Sequence, residues 1–413
     1  MKVAGSKENP ELRRRNSSAR SLFYKIVPLI FIIILGYFAL DYVGPSEIHL
    51  REKTVFGIES LSAKDLIVQE FDDNGDLWAT RGMIVYKLTK GDSSFEKVAH
   101  IPTGFNIFWI RNFTVVRRLT IRPECVEMTT TQNGDICAVS AGKLWVRHPG
   151  EKKFSKSMDM THYGIGDQGI RNAGIVSVEN STVYFGEYFQ NSNQDEVRIF
   201  GSNSDLTDWE TSYEFEPGEI QHIHAIQFDP FSENLWICTG DQNSESMVGW
   251  SDDNFKTIQK IGEGSQQWRV CQLVFTEEFV YWGTDNGTQD VAGIYRWNRE
   301  TKEVEKVMKV DGAVFYGTQL SNGTIVMSTD REGMGNEIDD KTRIIVIPED
   351  HDITKIVCGT WDHNNPGFWF KFAKLRFQRN QGSPFLAVSV LNQKEVRDGD
   401  LVLIHEDSLL SVN

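Results

Sequence analysis

The sequence is poor in cysteine, and its few cysteines are scattered. Five occur in 413 residues, and no two have the C-x-x-C spacing. This excludes the usual cysteine-based zinc motifs and a small fold held together by many disulfides. Cys125 and Cys137 lie near enough in sequence to bridge in an oxidising compartment, and the odd count leaves at least one thiol free.

Positive charge is scarce after the first 25 residues. Residues 1–25 carry a net charge of +5, whereas the whole chain carries −15, so the remainder is strongly acidic. Phosphate contacts require clustered lysine and arginine. The composition therefore argues against a nucleic-acid partner.

One long apolar segment separates the basic head from the acidic body. It is LFYKIVPLIFIIILGYFALDYV, Leu22–Val43, in which Lys25 lies near the start and Asp41 is the first acid. A bilayer core requires about 20 residues. A signal peptide has a shorter apolar region and small residues at its cleavage site, which GYFALDYVGPSE does not offer, so an uncleaved anchor is predicted. The basic head then places the N-terminus in the cytoplasm and the chain after about residue 44 in an extracellular, periplasmic or lumenal space.

Asparagine sequons in that outer region permit glycosylation. They lie at Asn112, Asn180, Asn286 and Asn322.

Long amphipathic helical patterns are absent from the body, and a short strand-like pattern recurs instead. Each copy is an apolar or aromatic run that ends in small or acidic residues, followed by a second strand-like run. The copies are DLWATRG from Asp76, DICAVSA from Asp135, TVYFGEY from Thr182, NLWICTGD from Asn234, FVYWGTD from Phe279, TIVMSTD from Thr324 and PFLAVSV from Pro384.

Repeats of roughly 45–60 residues built from several short strands are typical of a β-propeller. The sequence therefore predicts an all-β fold, a seven-bladed β-propeller preceded by one N-terminal transmembrane helix. A pair of β-sandwiches or a β-helix fits the repeated order of the runs less well. The predicted divisions are a basic cytoplasmic tail at 1–21, a transmembrane signal anchor at 22–43, a linker at 44–54 and the propeller at 55–410.

Two stretches resemble the Asp-box, a turn of the form S-x-D-x-G-x-T-W between the outer strands of a propeller blade. SDDNFKTI, Ser251–Ile258, matches with Phe255 in the glycine position, and SNSDLTDW, Ser202–Trp209, is a looser copy. The resemblance is to Asp-box propellers, which include sialidases, sugar lyases and many binding proteins. Asp-boxes lie away from active sites, so the resemblance implies a fold and leaves the function open.

In a propeller the innermost strand of each blade lines the channel, and here it should precede each quoted run. Aligning these segments places basic and aromatic residues at one mouth, and acids at the ends of the following strands should meet them there. The basic and aromatic set is Arg171, His222, His224, Trp268, Arg269, Tyr316 and Lys371, and the acids are Glu187, Asp241, Asp285 and Asp330.

His222 and His224 are two residues apart on a predicted strand, so their side chains should lie side by side. A polar core, a metal site and an acid/base pair all fit that arrangement. The neighbouring units offer acids rather than the cysteine or third histidine expected of zinc. The prediction is therefore no metal ligand and no cofactor, although the strand-end carboxylates could hold a divalent cation such as calcium.

Histidine, tyrosine and arginine at one mouth resemble the sites of propeller polysaccharide lyases. That resemblance implies that Arg269 neutralises a uronate carboxylate while His222, His224 or Tyr316 transfers protons. It also implies substrate binding by Arg171, Trp268, Lys371 and the acids Glu187, Asp241, Asp285 and Asp330. A sialidase-like site would need a third arginine at the same mouth, which is not evident.

The sequence thus predicts a membrane-anchored, extracytoplasmic protein acting on an acidic polysaccharide or glycoconjugate, as a lyase or a glycoside hydrolase. Its other partner is the lipid bilayer, through residues 22–43. The alternatives are a non-catalytic propeller that binds glycan or protein partners in a cell-surface assembly, and a purely structural subunit.

Overall fold

The computed structural model describes residues 43–102, 127–140, 142–162, 169–171, 173–285, 290–333, 335, 337–349, 352–364 and 372–411. All the described strands lie in the compact unit Ser46–Asn413. They form seven antiparallel sheets, which are the seven blades of a β-propeller.

The first three blades follow one another along the chain. Blade 1 contains β4 (Ile67–Phe71), β5 (Leu77–Arg81), β6 (Ile84–Leu88) and β7 (Ser94–His100), with β1 (Glu47–His49) on its outer edge. Blade 2 contains β8 (Glu127–Thr130), β9 (Ile136–Ser140), β10 (Lys143–Arg147) and β11 (Ser155–Asp159). Blade 3 contains β12 (Ile175–Ser177), β13 (Val183–Gly186), β14 (Val197–Ser202) and β15 (Trp209–Phe215).

The next three blades have the same order from the channel outwards. Blade 4 contains β16 (Ile223–Asp229), β17 (Asn234–Thr239), β18 (Met247–Ser251) and β19 (Gln259–Glu263). Blade 5 contains β20 (Val270–Phe275), β21 (Phe279–Thr284), β22 (Gly293–Asn298) and β23 (Val304–Lys309). Blade 6 contains β24 (Gly317–Gln319), β25 (Ile325–Thr329), β26 (Lys341–Ile347) and β27 (Thr354–Thr360).

Blade 7 combines strands from the beginning and the end of the chain segment that forms the propeller. Its inner strands β28 (Lys374–Phe377), β29 (Phe385–Leu391) and β30 (Asp400–His405) come from the end of the chain. Its outer strands β3 (Ile58–Ala63) and β2 (Arg51–Val55) come from the beginning, and β3 pairs with β30. A short helix, α1 (Glu406–Leu410), follows β30, and 3₁₀ turns occupy Glu179–Ser181 and Gln266–Trp268.

The strands at Glu47–His49 and Arg51–Val55 fall in the segment predicted as a linker, 44–54. The first pairs with β7 and the second with β3, so most of that segment belongs to the sheets of blades 1 and 7. Both are outer strands with mainly exposed, polar side chains. They therefore lack the apolar pattern by which a strand is predicted from the sequence.

The repeated apolar runs are the second strands of the blades. These strands are covered by neighbouring blades on both faces, and β9 and β25 are buried at every position. The fourth strands, such as β11 and β19, are mainly exposed or partly exposed. The prediction of an all-β, seven-bladed propeller is confirmed in the described residues.

The segment after β28 closes one end of the channel. Asn380 Nδ2 donates to Phe71 O of blade 1, and Gln381 Nε2 donates to Phe275 O of blade 5. Gly382 N donates to Gln319 O of blade 6. This end, at which the inner strands finish, is called the closed end below, and the opposite one the mouth.

The turn at Ser251–Ile258 joins β18 to β19. Asp253 accepts from Thr257 N at 2.9 Å and Thr257 Oγ1 at 2.8 Å, and Phe255 N donates to Ser251 Oγ at 2.8 Å. Phe255 has a φ of 61° and is fully buried. Leu206, in the second stretch that resembles an Asp-box, likewise combines a φ of 57° with burial. The phenyl and isobutyl groups are packed in the core despite a backbone conformation that favours glycine.

Several predictions concern residues that the structure does not describe. No helix among the described residues is long and apolar enough to cross a membrane, and the predicted anchor lies outside them except for Val43. Also outside are Cys125, Asn112, Asn286 and Lys371. The anchor and the Cys125–Cys137 bridge therefore stay predictions.

Candidate active site at the mouth of the channel

A repeated backbone hydrogen bond brings the site residues together. The residue that follows the second strand of a blade donates its N–H to the residue that precedes the inner strand. Gly240 N donates to His222 O at 3.2 Å, and Asp285 N donates to Arg269 O at 2.8 Å. Of the four predicted strand-end acids, Asp241 and Asp285 therefore lie beside a basic residue at the mouth.

Three side chains meet most closely, those of His222, His224 and Asp241. The Nε2 atoms of the two histidines are 3.0 Å apart. The carboxylate oxygens of Asp241 lie 3.5 Å from Nε2 of His222 and 3.3 Å from Nε2 of His224. Both imidazoles are buried, whereas the Asp241 side chain is 28% exposed. The predicted side-by-side placement of the histidines is confirmed.

A β-bulge sets the position of His224. In blade 4, Ile223 pairs with Thr239 and Ala225 pairs with the adjacent Cys238, so His224 is the extra residue of β16. A bulge leaves its extra residue outside the ladder and redirects its side chain. The register of β20 is also irregular, between Val270 and Leu273.

The other nitrogen of each imidazole faces a backbone carbonyl. Nδ1 of His222 is 3.3 Å from Phe189 O, and Nδ1 of His224 is 3.1 Å from Val270 O. A carbonyl oxygen only accepts, so each Nδ1 carries the hydrogen. In the neutral rings both Nε2 atoms then present lone pairs to each other and to the Asp241 carboxylate. These groups repel one another unless a proton or a cation lies between them.

Burial makes a proton less suitable than a cation for the position between these groups. It lowers the pKa of His224 to about 3, because the charged imidazolium would lose its hydration. Burial alone would raise the pKa of Asp241, but the positive charge of Arg269 beside it helps to hold that pKa well below its usual range. The centre is therefore an ionised carboxylate with a neutral His224 imidazole near physiological pH.

The arrangement fits a divalent transition-metal ion. The His222, His224 and Asp241 ligand atoms all lie within 4.8 Å of one another. Two ligands about 2.1 Å from one ion and at about 90° to each other are about 3.0 Å apart, which matches the Nε2–Nε2 distance. Histidines that bind metals commonly donate the other N–H to a carbonyl, as both do here. Imidazole nitrogens favour transition-metal ions such as zinc over calcium, which prefers oxygen ligands.

A second set of potential ligands, His224, Cys271 and Asp285, also lies within 4.8 Å. The His224 nitrogen that contacts Cys271 Sγ, at 4.0 Å, is Nδ1, which already donates to Val270 O. Burial raises the pKa of the Cys271 thiol well above its usual range, so it stays protonated and donates to Asp285. This set is less suited to a metal than the first.

The first set, His222, His224 and Asp241, is called the metal-binding set below. Two arginines border it. Arg269 Nη2 lies 2.9 Å from Asp241 Oδ1 and 3.3 Å from Asp285 Oδ2. Arg171 Nη2 lies 4.0 Å from Asp285 Oδ2, and its Nη1 donates to Tyr188 Oη at 2.6 Å. The Arg269 and Arg171 side chains are 21% and 23% exposed.

Tyr316 is buried rather than open to the mouth. Its pKa is raised, first of all by burial, which outweighs the nearby positive charges of Lys374 and Arg376.

Trp268 also differs, because its ring packs rather than facing the mouth. It stacks on Trp282 at 5.3 Å between ring centroids and fills the space beside Gly262.

The remaining predicted acids are buried behind the mouth. Glu187 accepts from Arg198 N at 2.9 Å and lies 4.0 Å from Nε2 of His162. Asp330 accepts from Leu375 N at 3.2 Å, and burial raises its pKa well above the usual range. Neither contacts the metal-binding set among the described contacts.

The sequence analysis missed several residues that the structure places at the mouth. They are Tyr188, Cys271, Phe315, Glu332 and Lys374. Two of them could have been predicted from the sequence. Tyr188 directly follows the predicted Glu187, and Cys271 lies two residues after Arg269, as His224 lies two residues after His222. Lys374 lies three residues after the predicted Lys371, at the start of β28.

Comparison with known proteins supports the fold alone. An oligogalacturonate lyase in complex with manganese superposes with a TM-score of 0.56 at 9% identity, covering 88% of this chain and 98% of that one. An oligogalacturonate lyase from Vibrio parahaemolyticus gives 0.55 at 10% identity, covering 86% and 97%. A chain of the mitotic checkpoint complex gives 0.51 at 10% identity, covering 86% and 94%.

No family model matches the sequence, and no curated protein matches it either. The Asp-box family suggested by the turns therefore remains a resemblance.

The buried carboxyl of Glu187 predicts a pH dependence of stability. Burial raises its pKa from 4.5 to about 7, so the folded state binds more protons than the unfolded state between these values. The free energy of unfolding should therefore fall as the pH rises through this window. Glu187→Gln, which stays neutral, should gain stability relative to the parent by on the order of 3 kcal/mol between about pH 5 and pH 8.

Denaturant unfolding at several pH values measures this difference. The exposed Glu210→Gln serves as the control and should show a small difference that does not vary with pH. A Glu187→Gln difference that is equally constant would contradict the assignment.

Proposed function

We propose that this protein cleaves an acidic polysaccharide or glycoconjugate by lyase chemistry at the mouth of the channel, with a divalent cation held by His222, His224 and Asp241. The observation that carries the proposal is the convergence of two imidazole lone pairs and a carboxylate beside two partly exposed arginines. The likeness in fold to oligogalacturonate lyases, one of them in complex with manganese, supports a carbohydrate as substrate.

The cation-binding role replaces the expectation that the two histidines transfer protons. Their Nε2 atoms would hold the ion, and their Nδ1–H groups donate to Phe189 O and Val270 O, which orients both rings. When bound, the ion would act as a Lewis acid towards a substrate oxygen.

Arg269 and Arg171 would pair with the carboxylate of the uronate. Planar guanidinium groups bind carboxylates through charge-assisted hydrogen bonds. Neutralising that carboxylate makes the proton on the adjacent carbon easier to remove.

Tyr188 would transfer protons in place of Tyr316, which was predicted to do so. Its oxygen is fixed by Arg171 Nη1 at 2.6 Å, its ring lies 4.2 Å from that of His222, and its side chain is partly exposed. In the proposed elimination the Tyr188 hydroxyl gives its own proton to the leaving sugar oxygen and its oxygen takes the C5 proton of the uronate. The electrons of the C5–H bond form the C4–C5 double bond, those of the C4–O bond leave with the sugar oxygen, and Tyr188 ends as a neutral phenol.

Cation binding is the first prediction of this proposal. The chelator-treated protein should bind Mn²⁺ at one site, and His224→Ala and Asp241→Asn should each weaken binding by about 100-fold or more, because each removes a ligand. Calorimetric titration and the electron paramagnetic resonance signal of free Mn²⁺ provide two independent measurements.

His148→Ala is the matched control, since His148 also pairs with an aspartate, Asp135, at 2.9 Å, but lies in blade 2 away from the mouth. Its Mn²⁺ affinity should equal that of the parent. Binding that survives both His224→Ala and Asp241→Asn would remove the cation from the proposal.

Cleavage is the second prediction. The metal-loaded protein is incubated with a panel of acidic and neutral polysaccharides, and ultraviolet absorbance of unsaturated uronates is followed together with reducing ends. Both should rise with at least one acidic polymer. Arg269→Met should reduce the rate by at least about 100-fold, because it removes a charge that acts on the reacting carboxylate.

Tyr188→Phe should reduce the rate by about 100-fold or more while Mn²⁺ affinity stays unchanged. Reducing ends without new absorbance would indicate hydrolysis instead. Glycan binding without either product would favour the non-catalytic alternative, in which the propeller only binds glycan or protein partners.

We further propose that residues 22–43 anchor the protein in a membrane with the propeller on the extracytoplasmic side. The apolar segment and the basic residues before it support this orientation. The full chain expressed in cells should resist extraction by alkaline carbonate, and the propeller should be accessible to protease only from outside. Release into the soluble fraction would contradict the anchor.

A further inference from the structure

A row of alternating aromatic rings and cations leads away from the metal-binding set. It begins at Tyr188, which lies against His222, and continues through Arg171, whose guanidinium carbon is 5.1 Å from the Tyr188 ring. The same guanidinium carbon is 5.3 Å from the Phe315 ring. Lys374 Nζ lies 4.0 Å from the Phe315 ring and 5.4 Å from that of Phe372.

Arg171 of blade 3 and Lys374 of blade 7 therefore both lie against the ring of Phe315. Phe315 is buried, whereas the Lys374 side chain is 21% exposed and Phe372 is 43% exposed. The row thus passes from the buried centre of the site to an exposed aromatic surface. Such surfaces stack against sugar rings through their apolar faces.

Lys374 is held in place by one carboxylate. Its Nζ pairs with Glu332 at 3.1 Å, which uses one of the three N–H donors of the ammonium group. Arg171 has a different carboxylate neighbour, Asp285, at 4.0 Å. The two cations beside Phe315 therefore have separate partners among the described contacts, and Lys374 keeps N–H donors for a ligand.

We propose that Lys374 forms a second carboxylate-binding subsite, next to the one at Arg269 and Arg171, so that the protein recognises two consecutive uronates. The proposal rests on the function proposed above and adds the length and charge pattern of the substrate. Phe372 would lie against the sugar that occupies this subsite. A uronate flanked by neutral sugars would use only the first subsite and bind more weakly.

The test compares binding of monomers and trimers to the full-length, metal-loaded protein. Calorimetry is carried out with trimers of galacturonate, mannuronate and glucuronate, with their monomers, and with methyl-esterified trimers. We expect at least one trimer to bind at least about tenfold more tightly than its monomer and its ester. Lys374→Met should remove this tenfold gain and leave monomer binding unchanged.

Lys374→Arg should restore most of the gain, since it keeps the charge. Lys306→Met is the matched control, because Lys306 also lies over an aromatic ring, that of Tyr295 at 5.0 Å, but on the outer strand of blade 5. It should bind like the parent. Thermal unfolding of all variants shows whether the fold is kept.

The outcomes separate this inference from the proposed reaction. Equal loss of monomer and trimer binding in Lys374→Met, or no loss, would overturn the second subsite even if cleavage is observed. Binding of a trimer that depends on Lys374 without any cleavage would support the subsite and reject the lyase. Failure of the parent to bind any of the three trimers would overturn the subsite as well.

Discussion

Every blade from the second to the sixth returns its chain to the side of the channel on which it began, because four antiparallel strands make an even number of passes. The inner strands therefore all start at the mouth, and the second strands all end there. This shared direction, together with the backbone hydrogen bond between the two points, gathers residues from distant parts of the sequence. His222, Arg269 and Asp285 meet because each occupies one of these two positions in its own blade.

The site that results contains more buried charge than a protein core normally tolerates, and pairing explains most of it. Asp285 lies within reach of Arg269 and Arg171, and Asp241 within reach of Arg269. A buried ion pair roughly balances its own loss of hydration and is weak evidence for a role in stability. The unpaired element is the pair of imidazole lone pairs, which no described group satisfies and which a cation would.

The sequence was sufficient to predict the propeller, because the apolar second strands repeat and each is covered on both faces. It also predicted that the strand-end acids meet the basic residues, since this follows from the common direction of the strands. The exact partners could not be predicted. The bulge at His224 shifts the register by one residue, and no residue type in QHIHAIQF marks it.

The packing of Trp268 and Tyr316 could not be predicted for a related reason. Aligning the inner strands shows which end of the channel a residue occupies, but it does not show whether the side chain turns towards the channel or between blades. Trp268 turns towards Trp282, and Tyr316 is buried beside Phe315. Tyr188 was missed because it lies beyond the end of a second strand, at a position to which the alignment had assigned only an acid.

The two ends of the channel differ in how their cations are paired and exposed among the described residues. At the closed end Arg376 and Arg379 are only 10% and 9% exposed and pair with Glu127 at 2.9 and 3.1 Å. Arg379 also pairs with Glu70, and it donates to Ile175 O of blade 3. These arginines therefore tie blades 1, 2, 3 and 7 together and have little exposed surface for a ligand. At the mouth the arginines and Lys374 stay at least one-fifth exposed. The metal-binding set and the aromatic row therefore lie at the end of the channel where the described cations keep more exposed surface.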